Sequence, residues 1–357
     1  MLDKNEKLLV LFSMCEISTK KQELLIEQLE EFSIDGLFKE NVSLEILNRE
    51  EYHKLCDIYD KQRFEMSLEN MEKSNIKIIT IFSSNYPERL RFLEDRPLIL
   101  YAKGDLSLLD KLSIAIVGTR MPSNYGKIVT EKFAGDLANN GFVIISGLCY
   151  GVDAIAHRKT LDVGGKTIAV VGSGFQNIYP ATNTSLANEI AQKGLLLSEY
   201  YPSFKPKRYT FPRRNRIVAG LSDGVLIPEA GLKSGTIHTK DFALEYGKDV
   251  FAIPGNISST KSDLPNVLIK SAQAECTLSA DDIIKYYGVE KEAKKERFLS
   301  LNMDEQVIVN LLTQGEKDFD YLAEKSKIPV NILNSCLTTL EIRGLIRKLP
   351  GKNFALV

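Results

Sequence analysis

Hydrophobic positions change their spacing twice along this chain. Over residues 1–105 they recur at helical intervals, as in KKQELLIEQLEEF and SLEILNREEYHKL, which predicts a small, polar helical domain of the SAM-like kind. Within it, NIKIITIFSSNYPERL adds a short strand and a turn before Pro87. From Ser113 onward SIAIVG, FVIIS, TIAVVG, LLLSE, GVLIP and DVFAIP are unbroken apolar runs rich in Val and Ile. Runs without polar alternation predict strands covered on both faces, hence a parallel sheet. Helical periodicity returns between them over 125–140, 152–162, 183–193 and 237–247, so strand and helix alternate as in a doubly wound α/β fold. After the charged run EKEAKKER the pattern changes again. Three helical segments and two short strands about Pro350-Gly351 predict a winged helix, with Ile332, Leu333, Cys336, Leu337 and Leu340 on one face of the third helix and Gly344 ending it. The expected organisation is an N-terminal helical domain (1–105), a Rossmann-like, mostly parallel sheet domain (106–289), a charged linker (290–298) and a winged-helix domain (299–357).

Composition narrows the class. With 357 residues and 44% apolar content the chain can bury a core in each of several domains. Its five cysteines (15, 56, 149, 276 and 336) are scattered and form no CxxC pair, which fits reduced thiols and offers neither a disulfide framework nor a zinc site. The three histidines are far apart, so no metal is expected. LLVLFSMC near the start is too short for an export signal, and Asp3 and Glu6 spoil its basic flank. No apolar run approaches the ~18 residues of a membrane span. The expectation is a cytoplasmic protein that does not enter a membrane.

Charge is concentrated in one place. The chain has a formal charge of −1, yet Tyr200–Ser222 holds Lys205, Lys207, Arg208, Arg213, Arg214 and Arg216 and no carboxylate. Tyr200, Tyr201, Phe204, Tyr209 and Phe211 are interleaved with these cations. Arginines beside flat rings suit a polyanion whose bases can be unstacked: charge tracks phosphates and rings take bases. The plainer reading is a solvated basic loop over core aromatics, with Arg214 or Arg216 in an internal salt bridge, for example to Glu229. Most predicted strands end in small or turn-forming residues (Gly118; Ser146-Gly147; Gly172-Ser173-Gly174), which in an open parallel sheet border the ligand crevice. Together with EAGLKSGT they predict a rim of backbone amides and a helix start that cradles phosphate.

Two enzyme readings compete with binding. No GxGxxG follows the first parallel strand, where Arg120 stands instead of glycine, and no GxxxxGK[ST] occurs, which argues against NAD and ATP; no cofactor is expected. Asp153 and His157 lie one helical turn apart with Cys149 just before them, so a Cys–His nucleophile pair is one alternative. The other is a nucleotide-binding or phosphoribohydrolase-type enzyme on a related Rossmann-like fold, whose PGGxGTxxE pattern supplies a phosphate cradle and a glutamate. Here PEAGLKSGTIHTKD keeps the cradle, while Glu229 replaces a glycine and Thr239 stands near the place of the glutamate. A third reading, a winged-helix transcription regulator, meets a recognition segment from Val330 to Arg343 with one basic residue, ill suited to base readout.

VGTRMPSNYG, SGLCYGVDAIAH, VVGSGFQNIYPATN, SEYYP, FPRRNRIVAGLSDGVLIPEA and SGTIHTKDFALEYGKDVFAIPG occur in that order. Together they closely resemble the bacterial DNA-processing protein A family (DprA, also called Smf), and the flanking regions resemble its outer domains more loosely. The resemblance implies a non-enzymatic protein that binds single-stranded DNA without strong sequence preference. It also implies protection of incoming strands in natural transformation, loading of the RecA recombinase, and a homodimer formed through the Rossmann-like domain. By motif it places Gly118, Thr119, Arg120, Ser146, Gly147, Gly172, Ser173, Gly174, Arg214, Asn215, Arg216, Ser234, Gly235 and Thr236 at the DNA. Lys205, Lys207, Arg208 and Arg213 join them on charge alone, and Lys240 as a cation near the rim. The sequence departs from the family at Cys149-Tyr150, where Ala-Arg is usual, and at Leu264 and Ser271, which replace glycines.

Overall fold

A computed structural model describes residues 2–39, 45–289, 301–313 and 315–356. Nine strands make one sheet: β1 (Lys77–Thr80), β2 (Ile99–Gly104), β3 (Ser113–Ile116), β4 (Val143–Ser146), β5 (Thr167–Val171), β6 (Leu195–Ser198), β7 (Gly224–Ile227), β8 (Asp249–Ala252) and β9 (Glu275–Cys276). Their spatial order is β1-β2-β6-β5-β4-β3-β7-β8-β9. From β6 to β9 all pairings are parallel, and Ile114 of β3 sits between Ile144 of β4 and Gly224 of β7. The strand order reverses between β3 and β7, so the crevice of this sheet opens beyond their carboxyl ends.

Unbroken apolar runs are needed because successive side chains enter different cores. Ile114 and Ile116 face one side, against Phe133 and Leu137 of α7 (Asn124–Asn139), Val152 and Ala156 of α8 (Val152–Asp162), and Ile283 and Ile284 of α13 (Ala280–Tyr286). Ala115 and Val117 face the other, with Ile217, Val218 and Leu221 of α10 (Thr210–Leu221), Ala243 of α11 (Thr236–Glu245) and Leu264 and Leu268 of α12 (Asp263–Lys270). Helix α9 (Thr184–Lys193) covers Ala169 and Val171 of β5.

The N-terminal helices are α1 (Lys4–Cys15), α2 (Thr19–Gln28), α3 (Ile34–Lys39), α4 (Arg49–Ile58) and α5 (Lys61–Lys73), followed by the short α6 (Glu88–Arg91). The run LLVLF is the centre of this bundle: Leu8 to Phe12 are all fully buried, and a helix buried all round is apolar all round. The bundle packs on Leu98, Ile99 and Tyr101 at β2. The sheet therefore begins inside the segment 1–105 read as helical. β1 and β2 join it antiparallel, through the pairing of β2 with β6. Short strands flanked by helical periodicity gave too little pattern to reveal this.

The missing glycines at 264 and 271 have a simple account. Leu264 is a buried residue of α12, and Ser271 closes that helix at φ −89° while its hydroxyl donates to the Val267 carbonyl at 2.9 Å. Ala272, at φ 53°, takes the left-handed position.

The second compact unit spans 290–357; the charged segment 290–298 lies outside the described residues. It holds α14 (Met303–Leu312), β10 (Lys317–Asp318), α15 (Phe319–Ser326), α16 (Val330–Ile342), β11 (Ile346–Leu349) and β12 (Asn353–Leu356), with sheet order β10-β12-β11. This is a winged helix. Leu333, Cys336, Leu337 and Leu340 of α16 fill its core, whereas Ile332 points outward. Gly344, at φ 68°, ends the helix as expected.

Candidate nucleic-acid interface

At the switch point the loops after β3, β4 and β7 are joined backbone to backbone. Thr119 N–H donates to the Glu229 carbonyl at 2.8 Å, and Val152 N–H to the Thr119 carbonyl at 3.2 Å. A Cβ on Gly118 would lie 2.7 Å from the Glu229 carbonyl oxygen and from Val152 Cγ2. Gly151 is left-handed at φ 76°, and a Cβ there would fall 2.4 Å from the Thr119 carbonyl oxygen. Both contacts exclude a side chain, which explains these glycines.

Above this junction is a cleft of about 760 Å³. Its floor and walls include Gly118, Thr119, Arg120, Gly147, Lys207, Arg208, Phe211, Arg214, Asn215, Ser234, Gly235 and Thr236. One wall is the start of α11, where the Ser234 hydroxyl accepts the Thr236 N–H at 3.3 Å and lies 2.9 Å from the Thr236 hydroxyl. Space beyond Gly235 is open. The positive end of a helix dipole makes this wall suited to an anion.

The basic stretch divides in a way its sequence does not show. Residues 210–221 are not a loop but α10, laid on the sheet, and Arg214 and Arg216, on different faces of it, are both buried. Arg214, 2% exposed, donates through Nη1 to the carbonyls of Gly147 and Val170, through Nη2 to Cys149 Sγ at 3.5 Å and through Nε to Asn215 Oδ1 at 3.1 Å. A side chain on Gly147 would collide with this guanidinium. Arg216, 4% exposed, bonds Glu199 at 2.6 Å and faces Asp95 at 3.4 Å; it does not line the cleft. Arg213 reaches Glu199 at 3.2 Å and the Thr19 hydroxyl. Arg216 is thus buried in an internal ion pair with Glu199, not Glu229, and the partly exposed Arg213 is tied to the same carboxylate; neither lines the cleft. Glu229 instead accepts from Ser123 N–H at 2.8 Å and Ser123 Oγ at 2.6 Å, fixing the start of α7.

Several other expected residues also lie off the cleft. Ser146 is fully buried and donates to the Ile116 carbonyl at 2.7 Å. Gly172, Ser173 and Gly174 pack against Phe211, Ser198 and the 201–204 backbone respectively. Lys240 pairs with Asp241, and Lys205 is exposed outside the lining. The cations left facing solvent at the cleft are Arg120 and Arg208, which have no carboxylate partner among the described residues, and Lys207, held 2.6 Å from Glu16. Asn215, with its amide near the Gly235 carbonyl at 3.4 Å, completes this side.

The aromatics divide too. Tyr200 stacks on Phe204 at 4.6 Å and Tyr201 meets Tyr101 at 5.9 Å, both within the fold. Phe211 stays at the cleft and is joined, 5.4 Å away, by Tyr179, which is 46% exposed. Tyr179 and His238 are cleft residues that the sequence reading missed. Tyr179 is the aromatic of a motif read for its glycines, and His238 follows a motif read for its hydroxyls.

The cleft does not arrange a thiol nucleophile. Burial and the neighbouring Asp153 push the Cys149 thiol up. His157 is buried, with Nδ1 2.7 Å from the Thr167 hydroxyl, and burial together with the Arg214 charge lowers its pKa to about 3. Burial also raises Asp153, against the opposing pull of Arg214. Arg214, Asp153 and His157 are therefore a buried prop beneath the cleft floor. Among the described residues no group of three or more His, Cys, Asp or Glu side chains could hold a metal ion, and no helix is long and apolar enough to cross a membrane.

Residues 77–288 match the family described as DNA recombination-mediator protein A, and residues 293–352 match the DprA winged helix domain. The chain is 42% identical to the DNA processing protein DprA of Bacillus subtilis over 60% of its length and 72% of that protein's. It is 35% identical to the Smf protein of Escherichia coli over 82% of its length and 81% of that protein's. Among solved structures it resembles DprA of Streptococcus pneumoniae (TM-score 0.68, 32% identity, covering 81% of this chain and 99% of that one). It also resembles DNA processing protein A of Helicobacter pylori, a structure concerned with that protein's single-stranded DNA binding mode (TM-score 0.55, 39% identity, 59% and 95% covered).

Proposed function

Because this chain belongs to the DNA recombination-mediator protein A family, whose relatives are DNA processing proteins, we propose that its cleft binds single-stranded DNA without sequence preference. The observation that carries the proposal is the pairing of walls. Exposed Arg120 and Arg208 stand with the N-terminus of α11 as an anion cradle, beside the exposed ring of Tyr179 and the half-buried ring of Phe211. Phosphates would run along the cradle while unstacked bases meet the rings, a combination that duplex DNA, with its bases stacked inside, cannot use. Protection of incoming strands in natural transformation, loading of RecA and a homodimer through the Rossmann-like domain belong to the same proposal. They rest on family membership alone.

The phosphoribohydrolase alternative is the weaker reading. Thr239 stands near the place of the motif's glutamate, and Glu229, which takes a glycine's place, is 1% exposed and engaged by Ser123, so neither presents a carboxylate to a ligand. A fluorescent oligo-dT titrated with the protein, against unlabelled duplex of equal length as competitor, tests the proposal. The single strand should be preferred, and its log affinity should fall linearly with log salt. Equal competition by duplex, or an affinity indifferent to salt, would overturn it. Binding of free nucleotides in place of the oligonucleotide would revive the hydrolase reading.

A further inference from the structure

We propose that Glu229 is a positioning residue of this cleft, one that holds the backbone of Arg120 in place for a phosphate; the inference rests on the cleft being the DNA site. Glu229 follows β7 and reaches the loop after β3 twice. Its carbonyl accepts the Thr119 N–H at 2.8 Å, and its carboxylate accepts the Ser123 N–H at 2.8 Å and the Ser123 hydroxyl at 2.6 Å. Arg120, Met121 and Pro122 form the arch between these two anchors. The arch is pinned from within as well. Met121 N–H donates to the Thr119 hydroxyl oxygen at 3.2 Å, and a Cβ on Gly151 would fall 2.6 Å from the Arg120 carbonyl oxygen. Pro122 removes one backbone torsion from the same three residues. What stays free is the exposed Arg120 side chain at the cleft rim.

The fold itself sets the carboxylate there. Glu229 is 1% exposed, and its Oε2 lies over the first turn of α7, where a Cβ on Gly126 would collide with it. Ser123 caps that helix by accepting the Gly126 N–H at 3.1 Å, so the positive end of the α7 dipole answers the buried charge. A glycine at 229, as in the phosphoribohydrolase pattern, could supply the carbonyl anchor but not the carboxylate one. The glutamate is a brace for the cation on the rim. An arginine carried on a fixed backbone loses less freedom when it meets a phosphate, and the difference appears as affinity. Cutting the carboxylate anchor releases about one residue's worth of backbone order, on the order of tenfold in affinity.

The test is a set of double-mutant cycles on oligo-dT affinity at low salt, with E229A, R120A, R208A, E229A/R120A and E229A/R208A. E229A should bind about tenfold more weakly than the wild type. That loss should persist in the R208A background and shrink below about twofold in R120A, where no cation is left to place. E229Q, which can still accept one Ser123 hydrogen bond, should recover part of the affinity. Thermal melts fix a temperature at which every variant is folded. Should E229A not fold, S123A takes its place in the same cycles, with a loss of about threefold that again depends on Arg120. If the loss is equal with and without Arg120, Glu229 only supports the core and the inference falls; it falls too if E229A binds like the wild type. In both cases the DNA reading stands as long as the wild type prefers the single strand to duplex. If the wild type shows no such preference, the DNA reading itself fails and the inference goes with it.

Discussion

Helix α10 and the rim of the cleft carry the same residue type and put it to opposite uses. Arg214 and Arg216 are buried, Arg214 on the Gly147 and Val170 carbonyls and Arg216 between Glu199 and Asp95. Arg120 and Arg208 are exposed and unpaired among the described residues. An arginine whose hydrogen bonds are already made inside the fold gains nothing from a phosphate, whereas one that is fully hydrated can exchange water and counterions for it. Positive residues in one stretch of sequence thus separate into a group that supports the site and a group that meets the ligand. Only the second should control affinity.

The sharpest way to break this comparison is at Arg216. Removing it as R216M leaves Glu199, 9% exposed, facing only Arg213 at 3.2 Å. Loss of one partner from a buried pair costs about 3–5 kcal/mol of stability. Denaturant unfolding should show a loss of that size, and the double variant R216M/E199Q should recover part of it. Unchanged stability with weakened DNA binding would place Arg216 among the ligand contacts after all.

The converse expectation belongs to Arg120 and Arg208. In R120A/R208A, stability should stay within about 0.5 kcal/mol, as for exposed side chains without partners. Single-strand affinity at low salt should fall on the order of a hundredfold, and the salt slope should shrink by about 1.4, the release expected for two phosphate contacts. Fluorescence titrations over a salt series check both numbers. A variant that binds normally would move the DNA away from the switch-point cleft.

How far the sequence could anticipate this division depends on which interactions are local. Unbroken apolar runs announced the parallel sheet, because burial on both faces leaves no position for a polar residue. The loop containing Gly118 was legible for a similar reason, since close backbone approach needs glycine wherever it occurs. The fate of each arginine was not legible. Asp95 is remote in sequence from Arg216, and Glu199 lies just outside the carboxylate-free stretch that drew attention to it. Nor does charge counting reveal that 210–221 is a helix, which decides the direction of every side chain it carries. Tyr179 joined Phe211 through tertiary packing alone.

Lys207 belongs to neither group, and it offers the finest test. It lines the cleft, yet its ammonium is 2.6 Å from Glu16 and lies over the rings of Phe204 (5.0 Å) and Tyr209 (5.9 Å). Glu16 caps the C-terminal end of α1 in a left-handed turn at φ 60°, which presents its carboxylate to Lys207 and, at 3.8 Å, to Lys54. The helical bundle thereby places a negative charge beside the cleft, raising the lysine pKa through that hydrogen bond while competing with a phosphate for it. Both partners are partly exposed, so the effect is small and screened. E16Q should tighten oligo-dT binding about threefold at low ionic strength, and the gain should fade as salt approaches molar concentration. In a K207Q background the same change should do almost nothing, since the cation it releases is gone. A weaker E16Q protein would mean instead that Glu16 holds Lys207 in its binding position, and Lys207 would then join Arg120 and Arg208 as a residue already committed to the ligand.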